Sequence, residues 1–134
     1  MLKSIISALI FRKDDVVVMD MEAGLEHLGR GTASMMDQFI TVIEPGARSI
    51  QTYGKVRQLA ADLGITKVNV VANKVRNEDD ERFIREHIPE ENLLGFIHYN
   101  EGIIDADRKG LSPYDVSASA VEEIKKIKAR IDQI

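Results

Sequence analysis

The chain has 134 residues, with 18 basic and 22 acidic side chains, four Phe, three Tyr, no Trp and no Cys. That length suits one domain of ordinary size, and the absence of cysteine excludes disulfides, thiolate metal ligands and cysteine nucleophiles within it. A net charge of −4 and so few rings argue against a sequence-independent grip on nucleic acid, and no apolar run approaches the ~20 residues of a membrane span.

Leu2, Ile5, Ile6, Leu9 and Ile10 recur at helical spacing and predict a first helix. The opening Met1-Leu2-Lys3 lacks a secretory pattern, so a cytoplasmic protein is expected. Val16-Val17-Val18-Met19 is a continuous β-branched run of the kind buried on both faces of a parallel sheet. A broken helical stretch follows, interrupted around Gly29-Arg30-Gly31. Residues 39–43 form a second strand candidate, stopped by Glu44-Pro45-Gly46. The next helix carries Ile50, Tyr53, Val56, Leu59 and Leu63 on one face, with Gly64 as its C-terminal stop. Residues 68–72 are a third strand, residues 77–87 an acidic-start helix halted before Pro89, and residues 93–97 a fourth strand. One or two helical turns are expected from Ile103 to Arg108, then a loop from Gly110 to Asp115. Ser119 with Glu122 reads as a capping box for a last helix whose stripe is Val121, Ile124, Ile127 and Ile131. Strands alternating with helices predict one α/β domain over residues 1–134, with a mostly parallel sheet of about four strands flanked by helices in three layers.

In such sheets ligands sit outside the carboxyl ends of the strands. The segments to inspect are therefore Asp20 to Gly24, Glu44-Pro45-Gly46, Asn73-Lys74, and His98-Tyr99-Asn100-Glu101. A carboxylate directly after a β-branched run suits a Mg²⁺-linked acid, and a glycine four residues on lets a backbone N–H approach a terminal phosphate. Asn73 offers both donor and acceptor to a purine, and the Lys74 stem offers a surface to pack on its ring. Each has a plainer alternative: Asp20 as a turn or cap residue, Asn73 as a partner of loop backbone, Glu44-Pro45-Gly46 as a simple turn. The phosphate-loop pattern Gly-x-x-x-x-Gly-Lys-Ser/Thr is absent, since Gly54-Lys55 has Ser49 at the first position and Val56 at the last. Gly29-Arg30-Gly31 fails the dinucleotide pattern at its final position. No His-Glu-x-x-His spacing or other metal pattern occurs, so no metal ligands are assigned.

Residues 16–32, Val-Val-Val-Met-Asp-Met-Glu-Ala-Gly-Leu-Glu-His-Leu-Gly-Arg-Gly-Thr, resemble the switch II segment of the CooC family. These are ATPases that assist nickel insertion into carbon monoxide dehydrogenase, within the deviant P-loop group of MinD, ParA and nitrogenase iron protein. Residues 44–49, 71–76, 95–100 and 106–110 match in the same order, so the resemblance covers nearly the whole chain. It implies a P-loop, Rossmann-like fold and an ATP or ADP site with Mg²⁺. In it Asp20 orders Mg²⁺ or the attacking water, Gly24 senses the γ-phosphate, Asn73 with Lys74 reads adenine, and His98, Tyr99 and Asn100 lie beside the base. The family's phosphate loop and nickel-binding Cys-x-Cys pair are not in this sequence. The resemblance therefore implies a C-terminal portion with little or no ATPase activity alone, serving carbon monoxide dehydrogenase as a homodimer, with no membrane or nucleic-acid partner. It further implies that residues 16–20 and 39–43 either pair directly or take a strand of another chain between them. A standalone α/β interaction or regulatory module, or a piece of another MinD/ParA-like ATPase, is the alternative.

Overall fold

A computed structural model describes residues 14–21 and 35–134; the expected first helix and residues 22–34, Gly24 among them, lie outside the described residues. The described chain runs β1 (Phe39–Ile43), α1 (Ala47–Asp62), β2 (Val68–Val75), α2 (Glu78–His87), a 3₁₀ turn (Glu90–Asn92), β3 (Leu93–His98), α3 (Glu101–Arg108), α4 (Pro113–Val116) and α5 (Ala118–Ile131). The strands form an open parallel sheet in the order β1-β2-β3. The α/β class and parallel sheet are those the sequence predicts.

β2 is central and has a partner on each edge. Helices cover both of its faces, which is why its sequence is a near-continuous apolar run rather than an alternation. Val70, Ala72 and Val75 enter a core with Ile43, Tyr53 and Ala60 from β1 and α1, and Ile84 and Ile88 from α2 and its end. On the opposite face Val71 packs with Leu94 of β3 and Ile127 of α5. Burial of each Val, Leu or Ile side chain there contributes about 1.5–3 kcal/mol of transfer free energy. Gly95 makes the close α5 contact possible: an added Cβ would lie 2.9 Å from Ile127 Cγ1, too close unless the Ile127 side chain shifts.

The local signals mostly operate as expected. Gly64 adopts φ 82° just beyond α1, the left-handed geometry that closes a helix end without a Cβ penalty. Asn77 caps α2, its side chain accepting the Asp80 N–H at 3.0 Å. Four acids occupy the first turn of α2 and Arg85 and His87 its last, complementing the helix dipole at both ends.

Several expectations are corrected. Residues 16–19 form no strand: Val16 and Val18 are each 86% exposed. The sheet therefore has three strands among the described residues rather than four, and the expected direct pairing of residues 16–20 with β1 does not form. An apolar run becomes a buried strand only where a ladder partner and two covering layers meet it, and the described residues supply neither. The loop predicted over residues 110–115 contains the start of α4, which has Pro113 at its first turn and the Ser112 hydroxyl accepting the Tyr114 N–H at 3.3 Å. α5 begins at Ala118 rather than after Ser119, with Ser117 as a cap residue whose side chain makes no capping bond. In its stripe Ile124 is 47% exposed while Ala120 is buried.

Candidate functional site at the carboxyl rim

Because all three strands are parallel, their carboxyl ends share one edge. Glu44 follows β1, Asn73 and Lys74 stand at the end of β2, and His98 closes β3 ahead of Tyr99 and Asn100. The β2–β3 register shifts between Asn73 and Val75, and Lys74 there holds φ 57°. This break in the ladder turns Lys74 toward Glu44, with Nζ 2.5 Å from Oε1. Both side chains are more than half exposed, so the pair positions the ends of β1 and β2 more than it stabilises them. Asn73 is half-buried, and its Oδ1 accepts the Lys74 N–H at 2.9 Å.

Tyr99 donates its N–H to the Val75 carbonyl at 2.8 Å, carrying the β2–β3 connection one residue beyond the strand. Its ring is 42% exposed and lies under the Arg76 guanidinium, 5.1 Å from the centroid, within range of a cation–π contact. Beside it is a shallow cavity of about 170 Å³ lined by Tyr99, Glu101, Ile104, Asp105 and Arg108.

Asn100 is wholly engaged by the protein. Its Oδ1 accepts the Gly102 N–H at 2.8 Å and so caps α3. Its amide nitrogen donates to Ser117 Oγ at 3.0 Å and Ser119 Oγ at 2.8 Å. Ser119 fails as a capping residue for this reason: its hydroxyl answers a tertiary partner.

His98 is held from two sides. Nδ1 lies 2.7 Å from Glu123 Oε1 of α5, and Nε2 lies 3.1 Å from Glu81 Oε1 of α2. Its backbone N–H donates to the second Glu123 oxygen at 3.0 Å. The Glu123 bond foremost lifts the imidazole above its ordinary pKa of 6.5, partial burial pulls against this, and the Glu81 bond adds to the rise.

The structure thus gathers Asn73, Lys74, His98, Tyr99 and Asn100 on one rim. Asp20 is exposed and belongs to no regular element, and Gly24 lies outside the described residues. Glu81 and Glu123 join the rim without a sequence signal, and Arg76, from the matched segment 71–76, joins it over Tyr99. Only the placement of α2 and α5 on opposite faces of the sheet, at the end of β3, brings the two glutamates to one imidazole.

No family model matches the sequence. Curated relatives do. An ATP-binding protein of Methanocaldococcus jannaschii is 42% identical over 130 residues, 95% of this chain and 50% of its own. The carbon monoxide dehydrogenase accessory protein CooC of Rhodospirillum rubrum is 37% identical over 131 residues, 98% of this chain and 50% of its own. The chain is a homologue of CooC. A second M. jannaschii ATP-binding protein is 35% identical over 124 residues, 90% of this chain. The chain spans about half the length of these curated relatives. As a CooC homologue, it has in its parallel sheet the layered α/β architecture that the resemblance implies, and every described rim residue falls within a sequence homologous over nearly its whole length.

Proposed function

We propose that this chain is the switch and adenine side of an ATP-binding maturation factor of the CooC kind, one that assists nickel insertion into carbon monoxide dehydrogenase. The observation that carries the reading is the meeting of Asn73-Lys74 and Tyr99 at the carboxyl edge of β2 and β3, where open parallel sheets bind nucleotides. The homology to named ATP-binding proteins supports it.

In this reading the free amide group of Asn73 addresses the edge of adenine, while its carbonyl is steadied by the Lys74 N–H. Tyr99, with Arg76 above it, flanks the base. Asp20 and Gly24 serve the γ-phosphate. An exposed carboxylate such as Asp20 fits Mg²⁺, which takes one or two protein carboxylates and completes its shell from phosphates and water. Bound there, the ion would neutralise phosphate charge. Phosphoryl transfer rests on positioning and charge stabilisation by a phosphate loop, and this sequence has no such motif. Chain and phosphate loop therefore act together, and the chain alone has little or no ATPase activity. Nickel is the cargo of the whole assembly, carbon monoxide dehydrogenase its client, and two copies form a dimer.

Calorimetry with MgATP tests the reading. The chain alone is expected to bind weakly. Adding a separately produced segment that bears a Gly-Lys-Gly-type phosphate loop is expected to restore micromolar binding, and Asn73→Ala to weaken that binding about 5–10-fold, the loss of one base hydrogen bond. Micromolar MgATP binding by the chain alone would contradict the division of labour. No gain on adding the segment would favour a standalone interaction module.

A further inference from the structure

The imidazole of His98 is spanned by two carboxylates whose helices lie on opposite faces of the sheet: α2 packs in the Tyr53–Ile84 core and α5 in the Val71–Leu94 cluster. A neutral imidazole carries one N–H and one lone pair. It satisfies one carboxylate and turns a lone pair toward the other. Only the imidazolium donates to both. The two ring nitrogens point apart, so Glu81 and Glu123 do not converge with the ring on a shared ion. The charges that act on His98 are these two glutamates, one from each helix packed around it; its own strand adds the Phe96 ring, 6.4 Å away and uncharged.

The two residues after His98 transmit this bridge to the rim. Tyr99 is fixed to Val75, and Asn100 both caps α3 and grips the first residues of α5 through Ser117 and Ser119. The segment between β3 and α3 is therefore tied to α5 at two places, Glu123 and the serine pair, while its tie to α2 runs through Glu81. We propose that the Glu123–His98–Glu81 bridge is a protonation-dependent clamp that sets the position of the Tyr99-Asn100 segment, so that His98 is a positioning residue of the rim and not a ligand of the base. The functional weight of the clamp rests on the nucleotide-site reading above; its existence does not.

Loss of the proton releases one arm. Glu123 retains the backbone N–H of His98 in either state, so Glu81 and α2 are the arm set free. The Tyr99-Asn100 segment then keeps its attachment to α5 and loses its reference to α2. The rim is firm below the raised pKa and loosens above it.

A pH titration by NMR without nucleotide reads this directly. The His98 ring signal, assigned by its disappearance in His98→Gln, is expected to titrate above 6.5, and the amides of Tyr99, Asn100 and Gly102 to shift with the same midpoint. Glu123→Gln should lower that midpoint most, and Glu81→Gln by less. A His98 midpoint at or below 6.5, or rim amides that ignore it, overturns the clamp; the wild-type titration decides this even where Glu123→Gln fails to fold. MgATP added with the phosphate-loop segment then separates the two readings. If the coupled titration is present while nucleotide leaves the rim amides unmoved, the clamp stands and the nucleotide assignment falls. If nucleotide moves the amides but pH does not, the clamp falls alone.

Discussion

Lys74 sits at φ 57°, in the left-handed region that disfavours a side chain by about 1–2 kcal/mol. The position is the end of β2, where the ladder with β3 slips by one residue, and the turned backbone there brings Nζ to Glu44. Two substitutions separate backbone from charge. In Lys74→Gly the strain is relieved, but an exposed ion pair worth about 0–1 kcal/mol and about 0.4–1 kcal/mol of unfolded-chain entropy are forfeited. The expected net change is close to zero. Lys74→Val places a β-branched side chain in the same conformation and is expected to cost about 1–3 kcal/mol. Urea denaturation of both variants checks this; a valine variant as stable as the glycine one would show that the backbone there relaxes freely. The sequence marks Lys74 as a rim residue by its place after an apolar run, but the left-handed turn is invisible in it, because lysine carries no signal for positive φ.

Elements were legible where their signals are local. Asn77 before four acids announces α2, and the apolar face from Ile50 to Leu63 announces α1, because caps and periodicity act within a few residues. They were not legible where a distant partner decides. The Ser119 hydroxyl belongs to Asn100, and Ile124 faces solvent because α5 meets the sheet through Ile127 and Ile131. The joining of α2, β3 and α5 through His98 is likewise a product of tertiary placement, and it makes the stability of these elements depend on pH. The folded-state pKa of His98 is raised above 6.5, so its contribution is complete below about 6.5 and is lost as pH climbs through the folded value. Wild type should exceed His98→Gln in melting temperature by its largest margin at the acidic end of this window, and the margin should narrow as pH rises past it. Parallel melting curves across several pH values measure the difference; a margin that stays constant would remove the proton from the explanation.

At the scale of the whole molecule the layered architecture was readable from the apolar run of β2, which is buried on both faces. Residues 16–19 bear the same signature without forming a strand, because such a run records what a strand would need and not whether neighbours supply it. β1 shows the matching deficit. It bonds β2 alone among the described residues, and Ile40 and Val42, 42% and 61% exposed, lie on the side of the sheet that Val71 shares with α5, since Val42 is in register with Val71. A parallel edge with an uncovered apolar face is an invitation to further pairing. In the proposed assembly it receives the segment that carries the phosphate loop. Val42→Lys discriminates here. On an exposed face it should change the stability of the chain alone by less than about 1 kcal/mol, because it removes little buried area. Against the phosphate-loop segment it should cost at least ~10-fold in affinity, since a lysine then has to be buried in the completed sheet or excluded from it. Thermal melts of the chain and titration with the segment give the two numbers separately. Equal binding by wild type and Val42→Lys would mean that the segment docks elsewhere, and that the exposed edge of β1 is not where the nucleotide site is completed.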